Sequence, residues 1–172
     1  MGGWLVNGLR TDGYDPLSDA ISQLAREGAP TRVAMTACFV VFGLLLPVWA
    51  GTVARELDTP ALRPVVTVAG LATIAVALFP LSRDPGGTQD LLHGIAAGTG
   101  YLAMALTPLV AAAGLWRSGR TTAAGACLAV GAVSAGALVG TLFVDGSGGV
   151  QRLGLTVVDA WHVAVAVWVL RR

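Results

Sequence analysis

The stretch Ala77-Leu-Phe-Pro-Leu-Ser-Arg-Asp-Pro-Gly-Gly-Thr-Gln-Asp-Leu-Leu-His-Gly94 decides the fold, because it sets a polar turn between two long apolar runs. Pro80 ends one helix by removing a backbone donor, and Pro85 with Gly86 and Gly87 makes the turn. Thr88 or Asp90 can then accept the unpaired N–H groups that open the next helix. A turn of this polarity between runs of this length marks a chain that leaves a membrane and re-enters it. The turn also places His93 three residues after Asp90. The only other histidine, His162, lies three residues after Asp159.

The bulk numbers agree with a membrane protein. Of 172 residues, 55% are hydrophobic and 12% charged, and the mean hydropathy is +0.71, outside the range of soluble domains of this size. All 11 basic residues are arginine, a bias that carries no functional information. A net charge of +1 leaves no basic surface for nucleic acid and no acidic tail for a cationic partner. Cys38 and Cys127 fall in apolar segments expected in opposite leaflets, which argues against a disulfide.

Working outward from the turn, the sequence predicts an all-α polytopic bundle forming a single membrane domain over 1–172. Five spans are expected at about 33–54, 65–79, 90–116, 123–144 and 153–170. Pro47 and Pro108 fall inside spans, where kinks are tolerated. The second span sits at or below the minimum length. Residues 1–9 are too short to cross a bilayer and read as the remnant of a first helix. Asp15-Pro16, followed by Leu17, Ile21 and Leu24 at helical spacing, predicts a short amphipathic helix over 15–27 lying at the interface. Gly94 with Gly98 on the third span and Gly136 with Gly140 on the fourth are small-residue patterns expected to let helix backbones approach, within the bundle or against a packing partner.

Arg55, Arg63, Arg117, Arg120, Arg171 and Arg172 gather on one side with few acids, which makes that side cytoplasmic by the positive-inside rule. The opposite side holds 14–27, 82–93 and 145–152. Chemistry, if there is any, is expected there.

The last span is the most informative. Arg152, Thr156, Asp159 and His162 are spaced by four, three and three residues, which puts them on one side of a helix. His162 falls roughly 15 Å below Arg152 at the helical rise, and an Asp near that depth costs about 2.5 to 3.5 kcal/mol against lipid. Such a stripe must face protein or water. Its functional reading is a cleft open to the non-cytoplasmic face with Asp159 and His162 as its floor, suited to a proton donor or relay. The bland reading is a buried polar pair that fixes packing.

Asp90 and His93 are weaker catalytic candidates, since a capping Asp and a wet His near the interface need no special role. Arg152 and Thr156, with Asp15, Ser18, Asp19 and Ser22 at the mouth, are the candidate ligand contacts. The further carboxylates of a carboxylate-bridged metal bundle are missing, so no metal and no cofactor is expected. Gly-rich phosphate loops, nucleophile elbows and zinc-helix motifs are absent from the sequence. Ser147 sits in a plain Gly-rich turn without a base nearby. Trp161 and Trp168 lie off the stripe.

Three motifs in order, Tyr14-Asp-Pro-Leu-Ser-Asp-Ala-Ile-Ser22, Phe79-Pro80 followed by His93-Gly94, and Gln151-Arg152 opening the last helix, resemble a bacterial integral-membrane family catalogued as domain of unknown function nine-nine-eight. The resemblance covers nearly the whole chain. It implies six helices, the first preceding the Tyr-Asp-Pro segment, and a multi-pass protein of the bacterial cell membrane; this chain starts where that first helix should be ending. The family name implies no activity. Small membrane-bound terpene cyclases are similar in size and in using intramembrane acids, by analogy alone.

Two functions are therefore carried forward. One is a protein whose cleft binds an amphipathic or isoprenoid-like molecule, a membrane lipid or a membrane partner. The other is a cyclase-like enzyme in which Asp159 protonates an alkene or epoxide while His162 orients it. A proton-coupled carrier is disfavoured by the lack of inverted repeats.

Overall fold

The computed structural model describes residues 2–171. Met1 and Arg172, the first residue of the expected helix remnant and the last of the arginines counted above, lie outside the described residues. Six α-helices follow one another: α1 (Gly2–Gly8), α2 (Arg32–Glu56), α3 (Leu62–Leu78), α4 (Thr88–Arg117), α5 (Thr121–Gly140) and α6 (Gly148–Leu170). Among the described residues there is no strand. Four helices, α2, α4, α5 and α6, are long and apolar enough to cross a membrane. α3, with 17 residues, reaches about 25 Å, short of the roughly 30 Å hydrocarbon core.

Consecutive helices from α2 to α6 pack as antiparallel neighbours, and α6 also touches α4 and α2. The core divides into layers. Val53, Leu62, Ala111, Leu115 and Cys127 fill the end that carries Arg55 and Arg117. Leu46, Ala69, Met104 and Val158 fill the middle. Ile21, Leu24, Ala25 and Met35 close the other end. Outward-facing side chains are apolar too: Val33 is 82% exposed, Leu78 70% and Leu170 85%. A bundle that is apolar outside as well as inside has lipid as its solvent.

Close helix approach is made at glycines other than those singled out above. A Cβ on Gly43 would stand 2.7 Å from the Gly70 carbonyl oxygen, and one on Gly70 would stand 2.5 Å from the Gly43 carbonyl oxygen, so α2 and α3 touch backbone to backbone. Gly131 lets α5 onto Leu109 of α4, and Gly154 lets α6 onto Ala137, whose Cβ would lie 2.8 Å from a new one. Gly94, Gly98 and Gly136 instead face open space, and Gly140 meets only Val150. Small residues recur every four positions on several faces of such Gly-rich helices. The pattern alone does not say which face meets a neighbour.

The segment after Tyr14 differs from the helix expected over 15–27. Asp15 Oδ1 accepts the Leu17 N–H (3.0 Å), its Oδ2 accepts the Ser18 hydroxyl (2.7 Å), and Asp19 Oδ2 accepts the Asp15 N–H (2.9 Å). These side chains hold the backbone in a turn, competing with the helical ladder. The chain extends at Ala20 and makes only a 3-10 turn over Ile21–Ala25.

The carbonyls that would continue a helix are used elsewhere. Leu17 O takes the Gly149 N–H at 2.7 Å and Ser18 O the Gly148 N–H at 3.3 Å. This borrowed capping lets α6 begin at Gly148, inside a Gly-rich stretch that reads as a loop. α5 stops at Gly140, short of the expected 144, because Leu142 and Phe143 bond back three residues and lead into Gly146, whose φ is +68°.

Candidate functional site

The three polar segments meet at one end of the bundle. Glu27 N donates to Leu81 O (2.9 Å), Arg26 Nη2 to Arg83 O (2.7 Å) and Ile21 N to Gln151 Oε1 (2.9 Å). Residues 14–25 thus form a strap from the 79–87 turn across the start of α6.

Arg152 is the fastening. Its guanidinium donates to the carbonyl oxygens of Pro16 and Asp19 and to the Tyr14 hydroxyl. It lies 4.8 Å over the Trp4 ring and 5.4 Å over the Tyr14 ring. The side chain is buried, and its cost is offset by those acceptors and by two aromatic faces.

Beneath the strap lies a cavity of about 180 Å³, bounded by α1, the 3-10 turn, α2, α3, α4 and α6. Its apolar wall comes from Trp4, Met35, Phe39, Phe42, Met104 and Leu155. The polar groups are Ser22, Thr73, His93, Tyr101, Gln151, Thr156 and Asp159. From Gln151 to Asp159 the cavity runs about 12 Å down α6.

His93 is held in one tautomer. Its Nδ1 is 2.7 Å from Phe79 O; a carbonyl can only accept, so Nδ1 carries the hydrogen. The same bond satisfies the carbonyl of Phe79, which caps α3 and has no partner within the helix. Tyr101 donates its hydroxyl to Gln151 O.

The stripe on α6 does not act as one unit. Thr156 and Asp159 line the cavity, Arg152 turns into the strap, and His162 lies behind, outside the lining. His162 Nδ1 stands 3.9 Å from Asp159 Oδ1, beyond hydrogen-bond reach. Its ring packs edge-on to Trp49 at 4.5 Å and Trp161 at 5.3 Å between centroids. Neither ring nitrogen, nor Asp159 Oδ1, nor Trp49 Nε1 finds a hydrogen-bond partner among the described residues. Trp161 Nε1 donates to Cys127 Sγ at 3.2 Å. This aromatic cluster plugs the gap between α2 and α6 below the cavity.

The other candidates are placed apart. Asp90 Oδ1 accepts the Ser82 N–H (2.8 Å) and Oδ2 the Gly86 N–H (2.7 Å), so its carboxylate shapes the turn, and the cap of α4 falls on Gly87 with no side-chain bond. Asp15, Ser18 and Asp19 hold the strap and do not line the cavity, whereas Ser22 does.

Sequence reasoning missed Trp4, Tyr14, Trp49, Tyr101 and Gln151. Tyr101 carries the one phenol inside a span and Trp49 sits in a span without ionisable residues. Each buried polar ring needed a partner, a signal present in the sequence.

Apolar helices with apolar exteriors, joined by polar turns, define a multi-pass helical membrane protein. More narrowly, the chain belongs to the family described as "Protein of unknown function (DUF998)", which matches residues 1–168, as the resemblance implied. No curated protein and no solved structure matches it.

Proposed function

We propose that this protein binds a small apolar or amphipathic molecule, such as the end of an isoprenoid-like chain, in the cavity beneath the strap. The arginine bias supports reading the cavity as open to the non-cytoplasmic side of a bacterial cell membrane. The observation that carries this reading is the wall itself: aromatic and thioether side chains around a few convergent polar groups, with Asp159 among them. Binding is preferred to cyclisation on size. An apolar cavity of about 150 Å³ takes one benzene, so 180 Å³ receives a ring-sized body or one end of a longer chain, not a folded polyene.

The test is saturable binding of radiolabelled geraniol to the protein in nanodiscs, against empty nanodiscs. Wild type is expected to bind and release it unchanged, and Ala97→Phe, which fills the cavity from α4, to lose binding at least tenfold. Equal binding by the filled variant would move the site elsewhere. Recovery of a cyclised product from an isoprenoid epoxide, lost in Asp159→Asn, would replace binding by catalysis.

A further inference from the structure

Several polar groups of this cavity have already committed their hydrogens. Thr73 gives its hydroxyl hydrogen to Ala69 O (2.8 Å), Tyr101 gives its own to Gln151 O, and His93 commits Nδ1–H to Phe79 O (2.7 Å). The two hydroxyl oxygens keep lone pairs that a guest's donor could use. Asp159 is the one acid among the lining residues, and its Oδ1 has no hydrogen-bond partner among the described residues. Arg152, the basic residue closest in sequence on α6, has its guanidinium spent in the strap. Ser22, Thr156 and the Gln151 amide add donors to the wall, Thr156 one helical turn from Asp159. The aromatic rings of Phe39 and Phe42 complete the surroundings, and aromatic rings attract cations.

We infer that the cavity selects a compact lipophilic amine, its ammonium group at Asp159 and its body between Phe39, Phe42 and Met104. This rests on the binding function proposed above and narrows it to one class of ligand. An anion would meet acceptors and a carboxylate. A neutral hydrocarbon would leave Asp159 without a partner in an apolar wall. A protonated amine supplies a donor to the unpartnered Asp159 Oδ1, and a cavity of 180 Å³ limits its body to about one ring.

The experiment compares benzylamine, benzyl alcohol and benzoate, three probes of one shape, by equilibrium binding to the protein in nanodiscs with empty nanodiscs subtracted. Benzylamine is expected to bind about tenfold or more tighter than benzyl alcohol, with benzoate weakest. Asp159→Asn should erase the preference for the amine over the alcohol. Phe42→Leu should weaken the amine more than the alcohol, and gives a second readout if the Asn variant does not fold. Equal affinities for amine and alcohol, or a preference that survives Asp159→Asn, would overturn the amine assignment and leave the binding function intact. Failure of all three probes and of geraniol would overturn both.

Discussion

Arg152 and Tyr14, 138 positions apart in the chain, meet guanidinium to phenol, with the cation 5.4 Å over the ring. The pair couples the start of α6 to the strap, and the strap roofs the cavity. Arg152→Ala strands the Pro16 and Asp19 carbonyls and removes the cation from two aromatic faces, a loss of roughly 2–4 kcal/mol. Arg152→Lys should recover less than half of it, because a point charge cannot serve three acceptors in one plane. The measurements are the unfolding midpoint in detergent and the rate of tryptic cleavage at Arg10 and Arg26, which flank the strap. Unchanged cleavage in the Ala variant would mean that the strap is held by other contacts.

His162→Phe should be neutral or stabilising, within about 1 kcal/mol. The ring is buried against Trp49 and Trp161, and both its nitrogens lack partners. A phenyl group keeps the edge-on packing and removes two desolvated polar atoms. A loss above roughly 2 kcal/mol in the same unfolding assay would show that those nitrogens are hydrogen-bonded in the membrane, most simply through bound water.

Gly43→Ala and Gly94→Ala should behave oppositely. The first puts a methyl 2.7 Å from the Gly70 carbonyl oxygen, so α2 and α3 must separate, at a cost of about 1–3 kcal/mol. The second places a methyl in open space and should gain up to about 1 kcal/mol of helix propensity. Thermal unfolding of the two variants side by side checks the sign of each.

Acidification should loosen the strap. The Leu17 N–H and the Ser18 hydroxyl hold the Asp15 carboxyl below the usual carboxylate range. A folded-state pKa below the unfolded one contributes stability that is present above about pH 4 and is lost as pH falls through the folded value. The Asp15 carboxyl carbon, followed by NMR in micelles, should titrate at lower pH than in an unfolded peptide containing 14–20. In Asp15→Asn the pH dependence of cleavage within the strap by pepsin, an acid protease, should flatten. A midpoint at or above the peptide's would remove this link.

The helices α2 to α6 were legible because each depends on local information, an apolar run bounded by Pro, Gly or charge, and the Pro80 to Gly87 turn stands where its residues put it. The strap was not legible for a matching reason. Leu17, Ile21 and Leu24 repeat at helical spacing, but the carbonyls of 16–19 are claimed by Gly148, Gly149 and Arg152 from the far end of the chain. No local pattern contains that competition. The polar ridge on α6 was readable as a set of costly residues. Its division between Arg152, roofing the cavity, and Asp159, lining it, depends on Trp4 of α1, Tyr14 of the strap and Trp49 of α2.

The brevity of α3 sets how this protein meets its surroundings. A rod of 17 residues between longer neighbours leaves lipid with a low point on one flank of the molecule, and the Phe79–Gly87 turn must dip toward the acyl region or draw the leaflet down to it. Acyl-chain length then becomes a mechanical input to the mouth of the cavity: a thin bilayer fits this flank at rest, and a thick one pulls on the turn that anchors the roof through Arg26 and Arg83.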